Sequence, residues 1–454
     1  MIGNRKSNPK EAIMLFKNIT LIDENYNVQE NVNVITGGNK ITYIGRNIPV
    51  NYRGETYDGQ NKLLMPGFFN AHCHVPMTLL RGYGEGLPLD QWLNDKMFPF
   101  EALLTEDDIY WGSQLGIAEM IKSGAVSFTD MYLKLGGIGK AVNETGIKAN
   151  LSYGAMAFGD EKFTDTDAYS ETLDMIDYIK DVPNNRIKAE ASIHAEYTSN
   201  PRFIEEVVQF ASDYKLQMHT HASESADEVS KCKGRRDGLT PIEYLEKHGV
   251  FNGQTTVAHC VWLQEGDYAI LKNRGATVAH CPSSNMKLAS GIAPVKKMLD
   301  YGIKVAVGTD GAASNNNLNM LEELNLASML QKVDSLDPLA LGPNQLLEIA
   351  CKNGAFAQGR EESGCIKVGN SADVIVVDLN KPHLQPIYDV LANIAYSAQS
   401  EDICLTMVDG KVLYADGEYK TIDMEKVLFN VNRIKDEKLA LLNNPSKRGY
   451  VPQR

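Results

Sequence analysis

Several features that would assign a chain to a class at once are missing. No run of about 18 apolar residues, the length a membrane helix needs, occurs among the 454 residues. The opening stretch MIGNRKSNPKEAIMLFKN is polar and holds no continuous apolar segment, so it does not read as a secretory leader. No CxxC pair is present, and the seven cysteines (73, 232, 260, 281, 351, 365 and 404) are odd in number and irregular in spacing. That argues against a disulfide framework and for reduced thiols in the cytoplasm. Clustered positive charge is scarce: the net charge is −13, and the densest basic stretch, KCKGRR at 231–236, is followed at once by Asp237. It reads as a solvated loop or helix end, and no nucleic-acid surface is expected. Low-complexity segments are also missing.

What is present is a change of rhythm along the chain. After a polar tail over 1–12 come short β-like runs, MLFKNITLID (14–23), VNVITGG (32–38) and KITYIGR (40–46), separated by turn residues. From about 63 onward, apolar strand-like runs alternate with helical stretches. The runs are 64–74, 124–132, 147–154, 187–197, 216–224, 255–263, 276–285 and 304–312. Eight such units predict a (β/α)8 TIM-like barrel over 63–365, its strands apolar because both faces are buried. β character returns in GCIKVGNSADVIVVDLN and CLTMVDGKVLYADGEY, with an Asp-Gly turn at 409–410. The segments 13–62 and 366–422 are therefore expected to form one small composite β-sandwich, followed by a helical tail over 423–454.

The chemistry is expected at the C-terminal ends of the barrel strands, where this fold builds its sites. Six of the nine histidines fall there: His72, His74, His194, His221, His259 and His280; His219 lies within the fifth strand. His72 and His74 are two apart, so one face of a strand carries both. Alone, an HxH is as readily a pair of structural histidines, and His221 or His259 taken singly is more often structural. Asp310, after the apolar run ending VGTDG, is costly to bury unless paired or coordinated. Together the five point to a metal centre. Four nitrogens and one carboxylate suit zinc, or less often ferrous iron. Such an ion brings a water to reactivity at neutral pH. Asp310 is expected to take that water's proton and Glu224, three residues after His221, to protonate a ring nitrogen or leaving amine. His280 is expected to polarise the attacked centre or fix the water; the plainer alternatives are a loop carboxylate and a supporting histidine.

The segments PGFFNAHCHVPMTLLRG, HTHASES, VAHCVWL, VAHCPSSNMKLASGIAPV and VGTDGAASNNNLNM resemble the amidohydrolase superfamily over nearly the whole chain. More narrowly, they resemble 5′-methylthioadenosine/S-adenosylhomocysteine deaminases and related adenosine-type aminohydrolases. The resemblance implies hydrolytic loss of ammonia from an adenine nucleoside at one metal ion. His72, His74, His221, His259 and Asp310 are the implied ligands, Asp310 also the base, Glu224 the acid facing the ring and His280 its helper. It further implies substrate contacts from Trp92 in LPLDQWL, Glu101 in FPFEALL as a ribose-hydroxyl acceptor, and His194 in IHAEYTS. Two departures stand out. The strand-3 region SYGAMAFGD carries Tyr153 but no arginine, which speaks against a charged homocysteine tail, and Cys73 replaces the commoner threonine or serine. The end of strand 4 offers His194, not a lysine that could bridge two metals; Lys188 sits at the strand start. A triazine, guanine or pterin hydrolase and an inactive paralogue are the rival readings. A homo-oligomer is left open.

Overall fold

The structure is a computed structural model that describes residues 13–88 and 91–443. The tail expected over 1–12 and the last part of the one expected over 423–454 lie outside the described residues.

Five strands come first: β1 (Ile13–Ile22), β2 (Val28–Gly37), β3 (Lys40–Gly45), β4 (Glu55–Asp58) and β5 (Lys62–Pro66). The barrel follows with β6 (Phe68–Cys73), β7 (Ala125–Tyr132), β8 (Lys148–Tyr153), β9 (Ile187–Ile193), β10 (Gln217–Ala222), β11 (Thr255–His259), β12 (Thr277–His280) and β13 (Lys304–Val307). Adjacent members pair in parallel in sequence order from β6 to β13. The chain then contributes β14 (Val374–Asp378), β15 (Ile403–Val408), β16 (Lys411–Ala415) and β17 (Glu418–Tyr419). These join the first five in a nine-stranded mixed sheet, ordered β17-β16-β15-β14-β5-β1-β2-β3 with β4 against β1. Residues from both chain ends, among them Phe16, Ile19, Leu64, Val376 and Met407, fill its core.

Two details depart from the sequence reading. The first expected barrel strand, 64–74, is two strands: Lys62–Pro66 lies antiparallel to β14 in the mixed sheet, and only Phe68–Cys73 enters the barrel. Gly67 makes the seam, where a Cβ would fall 2.2 Å from Val126. Periodicity is blind to the change because both pieces are buried apolar strands. The basic stretch is also less solvated than expected. Arg235 and Arg236 pair with fully buried Glu196 at 2.6 and 2.5 Å, so the run ends the helix Ala226–Arg235 by neutralising an interior carboxylate.

The barrel closes between its first and last strands. The Asp310 N–H donates to the His72 carbonyl at 3.0 Å. The Thr309 N–H donates to Asn70 Oδ1 at 3.0 Å, and Asn70 Nδ2 donates back to Thr309 Oγ1 at 2.7 Å. Gly308 permits this approach, since a Cβ there would sit 2.8 Å from the His72 carbonyl oxygen. The C-terminal helix Met424–Asn443 is pinned to the helix Glu106–Lys122 by the buried Lys438–Asp108 pair at 2.6 Å. No helix among the described residues is long and apolar enough to cross a membrane.

Candidate active site

β6 alternates as a strand must: Cys73 donates its thiol to the Thr129 carbonyl, while His72 and His74 turn to the interior. The ends of β10, β11 and β13 bring His221, His259 and Asp310 to the same point. His259 (φ 72°) and Asp310 (φ 58°) take the left-handed conformation, as does Ser223 (φ 55°) just before Glu224. Each such residue costs about 1–3 kcal/mol, and with Cys260 (φ 49°) next to His259 four of them cluster at one rim, a place where side-chain aim outweighs local comfort.

The ligand atoms of His72, His221 and His259 lie within 4.8 Å of one another, as do those of His72, His74 and Asp310. Asp310 Oδ1 is 3.4 Å from His72 Nε2 and 3.2 Å from His74 Nε2, and His221 Nε2 is 3.4 Å from His74 Nε2. Each histidine uses Nδ1 elsewhere. His74 donates to the Met131 carbonyl at 2.5 Å, His221 to the His194 carbonyl at 2.7 Å and His259 to Asn285 Oδ1 at 2.9 Å; His72 Nδ1 meets His219 Nε2 at 2.9 Å. That arrangement frees the Nε2 lone pairs, the requirement for imidazole ligation. His72 Nε2 is buried and without a hydrogen-bond partner among the described residues. The donor set and this orphaned nitrogen fit a divalent cation of the zinc type. Asp310 Oδ2 is occupied by the hydroxyls of Ser284 (2.6 Å) and Ser314 (2.9 Å), which leaves Oδ1 for the centre. Against the penalty of burial, His72 and His74 hold this carboxyl well below the usual range. Burial lowers His74, but Asp310 more than offsets it and raises the ring to about 9.

Glu224 is set by the turn that starts the next helix. Ser225 caps it by accepting the Glu228 N–H, and the Glu228 carboxylate accepts the N–H groups of Ser223 (3.0 Å) and Glu224 (2.6 Å). The Glu224 carboxylate accepts Ser290 Oγ–H at 3.2 Å and faces His259 Nε2 at 3.8 Å.

A cavity opens over this cluster. Its wall carries His74, His221, His259, Asp310 and Glu224, and also Trp92, Glu101 and His194. Glu101 accepts the Tyr132 hydroxyl at 2.6 Å, a partner from strand β7 that no motif points to. The rest of the lining is mostly apolar: Met77, Leu93, Met97, Phe98, Met131, Leu133, Met156 and Leu288. His280 is not on the cavity wall. It is fully buried, both ring nitrogens lack a partner among the described residues, and burial together with His259 pushes it down to about 3.

A sequence profile of the Amidohydrolase family matches residues 63–413. A 5-methylthioadenosine/S-adenosylhomocysteine deaminase of Dictyoglomus thermophilum is 45% identical over 381 residues, 83% of this chain and 87% of that protein. An adenosine deaminase from Xanthomonas campestris, solved with bound zinc, superposes with a TM-score of 0.88 at 29% identity, covering 95% of this chain and 100% of that one. An atrazine chlorohydrolase from Arthrobacter aurescens, complexed with zinc, shares the fold with a TM-score of 0.85 at 21% identity, over 93% of this chain and 100% of its own.

Proposed function

The chain belongs to the amidohydrolase family, and from that premise we propose that it hydrolytically deaminates an adenine nucleoside to the inosine-type product and ammonia. The observation that carries the reading is the cluster of His74, His221, His259 and Asp310 beside Glu224 on the wall of a cavity that also holds Glu101 and Trp92, with His72 buried behind them within ligand distance. His72, His74, His221, His259 and Asp310 would hold one divalent ion, zinc first and ferrous iron second. When bound, it supplies a water whose pKa falls from about 15.7 towards 7. Asp310 Oδ1 accepts the proton released there, while the two serine hydroxyls on Oδ2 keep the carboxylate oriented. Glu224 delivers a proton to the purine ring nitrogen as the water oxygen bonds to C6, and the proton held by Asp310 passes to the exocyclic amine, which leaves as ammonia as its C–N bond breaks. His194 and Trp92 pack the ring, and Glu101, steadied by Tyr132, reads the ribose hydroxyls. His280, buried near His259, serves as the helper of the ligand cluster. The barrel of 63–365 would carry the reaction, with the composite β-domain of 13–62 and 366–422 and the tail of 423–454 as support. All seven cysteines are unpaired, which suits the reducing cytoplasm.

The apolar wall supports a finer choice. None of the described residues lining the cavity is an arginine or lysine, while four are methionines. An uncharged methylthio or deoxy 5′ group fits such a lining better than a zwitterionic homocysteine tail. The test is ammonia release by zinc-loaded protein from methylthioadenosine, 5′-deoxyadenosine, adenosine and S-adenosylhomocysteine, with guanine, a pterin and a triazine as bare-ring controls. Turnover of methylthioadenosine above S-adenosylhomocysteine is expected. Turnover of the bare rings alone would defeat the reading, and no turnover at all would favour an inactive paralogue.

A further inference from the structure

Beneath the ligand cluster, a line of buried polar groups runs down the barrel interior. His72 Nδ1 meets His219 Nε2 at 2.9 Å. The other ring nitrogen of His219, Nδ1, lies 3.4 Å from Glu190 Oε2, and both atoms are buried without a formed hydrogen bond among the described residues, so each is the nearest polar group the other has. Glu190 Oε1 accepts from Asn150 Nδ2 at 2.6 Å, and Asn150 Oδ1 accepts from Arg360 at 3.2 Å. Glu190, His219 and Arg360 are each no more than 2% exposed.

The direction of this line is forced from its lower end. A guanidinium only donates, so Asn150 must turn its oxygen to Arg360 and its amide hydrogens to Glu190. Glu190 Oε2 is the acceptor oxygen that faces His219 Nδ1, so Nδ1 is the ring nitrogen placed to carry the proton. Its Nε2 then accepts from His72, and His72 presents a bare Nε2 to the centre. The other three histidines need no such relay, because His74 and His221 donate to backbone carbonyls and His259 to an amide oxygen. Only for His72 is the partner a ring that could serve either way.

We propose that Glu190, acting through His219 and anchored by Asn150 and Arg360, is a positioning residue that fixes the ligating tautomer of His72. Glu190→Gln is the sharpest variant. Its oxygen still takes the Asn150 hydrogens, so its amide hydrogens face His219 Nδ1 and reverse the line with almost no change of shape. The inference rests on His72 being a metal ligand.

The experiment is a zinc titration of apoprotein against a competing chelator, with apoprotein melting and the 15N shifts of the histidine rings recorded alongside. Glu190→Gln is expected to weaken zinc binding by about 10- to 100-fold. Its apoprotein melting should match the wild type, and the His72 ring should move its proton to Nε2. Glu190→Asp, which keeps the acceptor, should recover most of the affinity. Should Glu190→Gln fail to fold, His219→Leu is held to the same zinc threshold. Zinc affinity within twofold of the wild type in the folded variant would overturn the relay. Wild-type protein that binds no zinc would instead overturn the metal reading beneath it.

Discussion

The two ends of the barrel both bury charge, and they treat it in opposite ways. At the N-terminal floor, Lys148 is 2% exposed and sits between Asp373 at 2.6 Å and Asp409 at 2.7 Å. Both carboxylates come from the mixed sheet's side, Asp373 just before β14 and Asp409 in the Asp-Gly turn between β15 and β16. Nearby, Arg360 donates to the carbonyls of Ala149, Asn185 and Arg186. Here opposite polarities meet, and the result is a joint between two sheets. At the rim, four imidazoles and a carboxylate crowd into two overlapping groups, His72 with His221 and His259 and His72 with His74 and Asp310, and His72 Nε2 is left without a hydrogen-bond partner among the described residues. Buried polarity that is matched holds a fold together, whereas buried polarity that converges unmatched asks for a ligand.

The contrast can be broken most directly at the rim. Asp310→Asn is expected to cut kcat/KM by about 10³-fold or more, several kcal/mol of transition-state stabilisation, with circular dichroism unchanged. A fully active Asp310→Asn protein would remove the rim from the chemistry. At the floor, Lys148→Met leaves two buried carboxylates without their cation and should cost about 3–5 kcal/mol in denaturant unfolding. Its zinc content per folded molecule should stay at the wild-type level; loss of zinc at full stability would show the two ends to be one unit. Smaller than either is the effect of Glu101→Gln, expected to lower turnover of a nucleoside about 10-fold or more while sparing a bare-ring substrate. Equal losses on both would take the ribose away from Glu101.

The smallest effect concerns Glu323, which is buried behind the rim, accepts the Ser283 N–H and the Asn315 amide, and is pushed up by burial to about 8. A carboxyl whose folded pKa is raised favours the fold when protonated. That contribution is complete below the ordinary value of 4.5 and is lost as pH rises through about 8. Wild-type melting temperature should therefore fall by a few degrees between pH 6 and pH 9, and fall less in Glu323→Gln. Parallel curves for the two proteins would remove Glu323 as the cause.

Much of the rim is legible in the sequence because strand geometry is simple. Alternation alone puts His72 and His74 on one face, and the rule that barrel sites lie at strand ends gathers His221, His259 and Asp310. The same alternation applied to HTH at 219–221 would have placed His219 on the interior face with His221; within a strand, it carried no expected role. Glu190 and Asn150 were harder, since their meaning comes from neighbours on other strands and from Arg360 far along the chain. His280, which the strand-end rule also selected, is like His72 fully buried and not among the cavity-lining residues, so its role stays a proposal. The split of 64–74 at Gly67 was invisible because one apolar run serves two sheets.

The hydrogen bond from Asp310 to the His72 carbonyl has a consequence for how the protein is made. The neighbouring clasp between Asn70 and Thr309 joins residues 239 positions apart. A ribosome must therefore deliver all eight strands before the first histidines and the last carboxylate can meet. If the proposed centre holds a metal, a partly made chain lacks part of it, and metal uptake would then report that the ring has been completed.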